Sequence, residues 1–311
     1  ALFFSKDAQD LVLTPIETMI KKVNDIARNP LLAAQEEENQ QVALAESELA
    51  DEGDKKVKGK KVKEQPMETQ ILEQTIIKIG ALLALGFGEA GSEIIAQNMA
   101  HGGDVNPMIP GKKVVAIFGF CDIRQFTDAT EVLQEDVMLF VNEIAEIVHG
   151  MVDHFSGAAN KNIGDAFLLV WKFNDEEDVV READDTLYLR DTNSVHQTAD
   201  MALMSFLMIV AKINTSQKLT KYSNHPGLNA RIENYSVKMG FGLHVGWAIE
   251  GAIGSDFKID ASYLSPNVNM ASRLEAATKQ YGVPLLVSGP LFDIFSPETQ
   301  DYLRLIDRAT V

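Results

Sequence analysis

An α+β fold with core elements in the order β-α-β-β-α-β is what this sequence predicts, on three observations. The stretch 114–120, Val-Val-Ala-Ile-Phe-Gly-Phe, is short, apolar and rich in β-branched and aromatic residues, as a buried strand is. Residues 134–155 then place Val137, Phe140, Val141, Ile144, Ile147, Val148 and Met151 at helical spacing along one face. Two strand-like stretches follow, 159–163 and 166–173, joined by Gly164-Asp165, a pair with the conformational freedom a hairpin turn needs.

The later elements extend this order. Residues 174–191 hold eight acidic and two basic residues and read as an exposed loop. A helix is expected near 198–213, then a second insert containing His225-Pro226-Gly227. A strand at 238–245, a helix at 268–280 and a strand at 283–288 complete the ferredoxin-like plan.

Upstream, 11–29 reads as a helix with Pro15 in its first turn and Pro30 stopping it. Leu13, Ile16, Ile20, Val23 and Ala27 step by three and four residues, which fits a short coiled-coil seam and an ordinary amphipathic helix equally. Thr14-Pro15-Ile16 followed by Ile26-Ala27 resembles the first helix of a HAMP-type relay. Residues 32–65 pass from an acidic block to the lysine-rich 55–63; without aromatic anchors they read as a flexible charged linker, its lysines solvated or touching anionic lipid. A helix over 67–85 repeats the seam with Leu72, Ile76, Ile79 and Leu83. Gly86-Phe87-Gly88-Glu89-Ala90-Gly91 matches the dinucleotide fingerprint in letters only, since a helical pattern precedes it where a strand is required; it reads as a Gly-rich bend. The expected organisation is thus 1–31 relay-like helix, 32–65 linker, 66–110 connecting helices and 111–311 a catalytic-type domain. The chain stops in mid-pattern, so it is expected to be a piece of something longer, with the domain's C-terminal end missing.

Bulk properties narrow the function. The 311 residues are 46% apolar and 23% charged, with a formal net charge of −17 and no basic stripe, which argues against nucleic acid as a partner. The lone cysteine, Cys121, excludes an internal disulfide and fits a reducing compartment. No secretory signal is visible, and the longest apolar run, 201–211, is too short to cross a bilayer.

Two aspartates carry the chemical signal. Asp122 follows the strand 114–120, and Asp165 lies at the hairpin tip, so the two can converge on one side of a sheet. Such a pair can hold two hard divalent cations, the arrangement behind much phosphoryl and nucleotidyl transfer. Taken singly, each has a plainer reading: a helix cap for Asp122 and a turn residue for Asp165. The histidines show no metal-ligand spacing, and no serine or cysteine shows a nucleophile arrangement; His244 reads as a satisfied core residue and Cys121 as inert.

Four segments in one order complete the picture: Phe120-Cys121-Asp122-Ile123-Arg124-Gln125-Phe126-Thr127, Ile163-Gly164-Asp165-Ala166-Phe167, Gly240-Phe241-Gly242-Leu243-His244-Val245-Gly246, and Val268-Asn269-Met270-Ala271-Ser272-Arg273-Leu274-Glu275. With them, 112–311 resembles the catalytic domain of class III nucleotide cyclases. The resemblance implies an adenylyl cyclase making cyclic AMP and pyrophosphate from ATP. It implies two Mg²⁺ or Mn²⁺ ions held by Asp122, Asp165 and the Ile123 carbonyl. Asn269 would orient the ribose and Arg273 stabilise charge on the α-phosphate, since a planar guanidinium fork suits phosphate oxygens. For Arg273 the plainer reading is a surface pair with Glu275 or another carboxylate. Lys161, four before Asp165, and Ser262, seven before Asn269, would read adenine: a lysine donor suits the N1 acceptor of adenine and not the N1–H of guanine. In the family the sites form between two catalytic domains, so the resemblance implies a homodimer aligned by the upstream helices, in the cytoplasmic part of a protein anchored to a membrane by sequence outside this chain. Two departures stand out: Ser265-Pro266-Asn267 replaces the usual Gly-Asp before the asparagine helix, and the chain ends before the family's triphosphate-binding lysine. A guanylyl cyclase, or a catalytically silent nucleotide-binding or scaffold homologue, are the other readings.

Overall fold

The computed structural model describes residues 110–255 and 258–308, with scattered positions between 17 and 91. It divides into two compact units: 1–110 with Gly251–Ala261, and Gly111–Glu250 with Ser262–Val311. The second unit carries the sheet and the helices packed on it, except the distal part of one hairpin.

β1 (Lys112–Ile123) is the central strand, and its alternation serves two faces. Val115, Ile117, Cys121 and Ile123 enter the main core, while Val114, Ala116 and Phe118 are buried on the other side. A helical segment follows as α1 (Phe126–Leu133), a short 3₁₀ turn, and α2 (Val137–His154). β2 (Ala158–Ile163) and β3 (Ala166–Lys172) form the expected hairpin. After the hairpin β4 (Val179–Arg181) and β5 (Leu187–Leu189) come α3 (Asn193–Thr215), α4 (Gln217–Ser223) and α5 (Pro226–Arg231). β6 (Met239–Ser255), β7 (Lys258–Leu264), α6 (Pro266–Tyr281), β8 (Leu285–Val287), α7 (Gly289–Phe292) and α8 (Pro297–Gln300) complete the described chain.

The sheet runs β2-β3-β1-β6-β7, with β8 parallel to β6. The β2–β3, β3–β1 and β1–β6 pairs are antiparallel. The expected ferredoxin-like order is therefore present in β2-β3-β1-β6, and α2 and α3 are its two crossover helices. Phe140, Ile144 and Val148 of α2 and Ala202, Phe206 and Ile209 of α3 share one buried cluster with Phe167, Leu169 and Trp171 of β3. By length and hydropathy α3 would also suit a bilayer span, but this buried face is part of the core.

α6 packs against the glycines of β6. A Cβ at Gly242 would overlap the Ala271 carbonyl and the Glu275 amide of α6, and one at Gly240 would overlap the Arg124 guanidinium and the Glu275 carboxylate. Backbone atoms on that helix cannot move aside one at a time, so Gly242→Ala is expected to cost roughly 1–3 kcal/mol. A lowered urea midpoint at unchanged slope checks this.

Four expectations need correction. The helix read as 134–155 begins at Val137, with α1 and the 3₁₀ turn ahead of it. The acidic insert 174–191 is an ordered β4–β5 hairpin, because the buried Asp178 carboxylate accepts from the Asn174 amide at 3.2 Å and from the Thr192 and Ser194 hydroxyls at 3.1 Å each. The second insert forms α4 and α5, capped by the side chains of Ser216 and His225. Finally, the strand read as 238–245 runs on to Ser255 and returns as β7. Of the upstream helices, Glu17 and Lys21 are helical and exposed, and the seam from Leu13 to Ala27 lies outside the described residues. In the second seam Leu72 and Ile79 are exposed, Ile76 and Leu83 lie outside the described residues, and Ile77, not one of the expected seam positions, is buried. Gly86 and Gly91 are both helical, so neither forms a dinucleotide turn.

Candidate active site

The site starts where β1 ends. Asp122 pairs across the sheet with Ala166 on one side and Gly240 on the other. One residue on, the Ile123 amide donates to the Asp165 carbonyl at 3.1 Å, and the Arg124 amide donates to the Lys238 carbonyl at 2.8 Å. Gly164, at φ 65°, takes the left-handed conformation that turns the β2–β3 hairpin and brings Asp165 to the strand end. Both aspartates are partly exposed. Burial holds the Asp122 carboxyl above its ordinary range, the Asp165 charge pushes the same way, and Lys279 and Arg124 pull it back.

Two mutually repelling carboxylates, with the Ile123 carbonyl in the same strand end, make an all-oxygen donor set that fits hard divalent cations. Among the described residues no group of three or more His, Cys, Asp or Glu is placed to hold a metal ion by itself. Main-chain carbonyls, water and substrate phosphates would complete such a coordination sphere, as is usual for Mg²⁺.

The other two candidate residues, Asn269 and Arg273, lie on α6 (Pro266–Tyr281). Ser265 caps it, accepting from the Asn267 amide at 3.0 Å, and Pro266 occupies the first helical position, where its missing N–H costs nothing. Ala271, Glu275 and Thr278 form the buried face. Asn269 and Arg273 lie on the exposed side, and among the described residues neither has a hydrogen-bond or ion-pair partner. The plainer reading of Arg273 as a partner of Glu275 does not hold. Glu275 is buried and paired with Arg124 at 2.7 Å, and Arg124 also donates to the Thr278 hydroxyl. Burial raises the Glu275 carboxyl, and Arg124 opposes that.

The family model for the adenylate and guanylate cyclase catalytic domain matches residues 109–289. The chain belongs to that family. Among its relatives, an adenylate cyclase of Anabaena cylindrica is 26% identical over 192 residues, 61% of this chain and 32% of that protein. The terminal-differentiation-specific adenylate cyclase of Dictyostelium discoideum is 26% identical over 201 residues, 64% of this chain and 8% of that one. The chain thus spans about a third or less of each of these two relatives. A bacterial light-regulated adenylyl cyclase shares the fold, with a TM-score of 0.53 at 24% identity over 74% of this chain and 57% of that one. A separate family model, for the all-helical domain of RasGEFs, matches residues 1–100, mostly outside the described residues.

Within the cyclase domain, Lys161 lies on β2, where the β2–β3 register slips between Ala159 and Lys161. Ser262 lies on β7, 9% exposed. These strands are the two ends of the sheet path, so strand order alone does not bring the two positions together. Cys121 is fully buried; burial, with help from Glu275 and Asp122, pushes its thiol well up, which fits an inert residue. α1 begins directly after this strand end at Gln125, φ 57°, with no side-chain cap on its first turn.

Sequence reasoning missed the Arg124–Glu275–Thr278 cluster beneath the site. Its only sequence signal was the arginine two residues after Asp122, and the partner lies 151 positions away.

Proposed function

We propose that this cyclase domain is an adenylyl cyclase that converts ATP to 3′,5′-cyclic AMP and pyrophosphate at a site completed by a second copy of the chain. The main-chain bond from Ile123 to Asp165, which sets both aspartates at one strand end, supports the reading. When bound there, two Mg²⁺ or Mn²⁺ ions would acidify the ribose 3′-hydroxyl and offset triphosphate charge. Asp122, Asp165 and the Ile123 carbonyl are the groups that would hold them. The uncapped amides of α1 face no side-chain acceptor and suit phosphate oxygens.

Arg273 offers a guanidinium to the charge that builds on the α-phosphate, and Asn269 orients the ribose. Their exposure, without partners among the described residues, supports a role across a dimer boundary. Lys161 donates to adenine N1 and the Ser262 hydroxyl accepts from the adenine amino group. ATP also implies the cytoplasmic side, with any membrane attachment supplied by sequence outside this chain.

Incubating the purified chain with Mn-ATP and Mn-GTP and quantifying cyclic products tests this. Cyclic AMP in excess is the expected result. Cyclic GMP in excess would reassign the substrate, and no cyclic product with either would make the domain a silent homologue. Lys161→Glu combined with Ser262→Cys is expected to shift the ATP-to-GTP ratio of kcat/KM toward GTP by at least about tenfold, the scale of a reversed hydrogen-bond edge. An unchanged ratio counts against this base-reading pair.

A further inference from the structure

His244 sits on β6, 6% exposed, on the face that carries Gly240, Gly242 and Gly246. Both ring nitrogens are engaged: Nδ1 lies 2.8 Å from the Ser288 hydroxyl and Nε2 lies 3.1 Å from Asn267 Oδ1. The direction of the Nε2 bond is fixed by its outer partner. Asn267 Nδ2 donates to the Trp247 carbonyl at 2.8 Å, so its Oδ1 is an acceptor and His244 Nε2 must carry the proton. In the neutral ring, which burial favours, Nδ1 accepts from Ser288, whose oxygen also accepts from the Leu291 amide at 3.3 Å.

The chain of bonds ends on the first turn of α6. Ser265 Oγ also donates to the Trp247 carbonyl, at 2.6 Å, so the helix start is stitched to β6 from two positions. A Cβ at Gly246 would overlap the Asn267 side chain, so that glycine makes the docking possible. At 100° per residue, Asn269 lies about 200° and Arg273 about 240° around the helix from Asn267. Pinning Asn267 to the sheet therefore turns those two side chains to the opposite, exposed side, where both are found.

We propose that His244 is a positioning residue for ring closure: through Asn267 it fixes the rotation of α6 about its axis and so aims Asn269 and Arg273 at the nucleotide. This rests on the cyclase reading above. Misplacing a reacting group by an ångström can cost about a hundredfold in rate. Loosened rotation of one helix turn is accordingly expected to lower kcat about tenfold while KM for Mn-ATP stays within about twofold.

The test contrasts two isosteres in the full chain. In His244→Gln the amide nitrogen can replace Nε2 and keep the bond to Asn267. In His244→Asn the shorter side chain can replace Nδ1, keeping Ser288 and losing Asn267. Both should lower the thermal midpoint, but only the Asn variant should lose kcat, and Asn267→Ala should match it with no further loss in the double variant. A purely architectural histidine would give equal kcat in both isosteres, which would overturn the proposal. If neither His244 variant folds, Asn267→Ala decides alone: a tenfold lower kcat at unchanged KM supports the proposal, and a parent-like kcat overturns it. Asp122→Ala, run alongside, separates the layers. Should it stay active, the underlying cyclase site is wrong; should it be inactive while the isosteres agree, only the positioning role fails.

Discussion

Asp122→Ala and Asp165→Ala are each expected to lower cyclic nucleotide production by about a thousandfold or more in a chain that remains folded. The magnitude follows from the several kcal/mol of charge stabilisation that bound cations supply, at about 1.4 kcal/mol per factor of ten. The folded state should tolerate either change. Asp122 is disfavoured in its charged form by burial and by Asp165, so removing it relieves a strain. The tie between hairpin and β1 uses the Asp165 carbonyl and does not depend on its side chain. Thermal midpoints equal to or above the parent's, with circular dichroism unchanged, are the accompanying result. Activity within tenfold of the parent in either variant would remove the cation assignment.

Two inactive variants should restore activity when mixed. Arg273→Ala is expected to lose at least about a hundredfold in kcat, the scale of one missing charge-stabilising donor, with little effect on folding because the side chain is exposed. If one protomer supplies the aspartates and its partner supplies Asn269 and Arg273, a dimer of Asp122→Ala with Arg273→Ala holds one site with both defects and one with neither. Random exchange in a two-fold dimer then predicts about a quarter of the parent's specific activity. Mixing, incubating for subunit exchange and assaying with Mn-ATP checks this. A mixture no more active than its components would show that each chain builds its site alone.

The parts legible in the sequence are those whose cause is local. β1 showed through its apolar run, the β2–β3 hairpin through Gly164-Asp165, and α2 and α3 through their spacing. The aspartates could be placed because each follows directly from such an element. What stayed hidden depends on distant partners. The β4–β5 hairpin looked like a solvated loop because Asp178 is one acid among eight in composition. Only folding brings Thr192 and Ser194 onto its carboxylate. β7 stayed hidden although Ile259, Ala261 and Tyr263 alternate with polar residues, because its neighbour is β6, which runs on past the strand expected at 238–245. Ser265-Pro266-Asn267 stood out only as a departure. Its meaning, a capped helix start fastened to β6, required His244 and Trp247, some twenty residues upstream.

At Asp165 the backbone carbonyl holds the hairpin to β1, and under the proposed cation role the carboxylate is left to the chemistry. On that reading architecture and trade are carried by different atoms of one residue, and the second can change without disturbing the first. On the proposed reading, a descendant in which this acid has drifted to serine or asparagine would still fold and present the same outline, having forfeited only its turnover. Resemblance of shape among such proteins is then a poor guide to which of them still turn over a nucleotide.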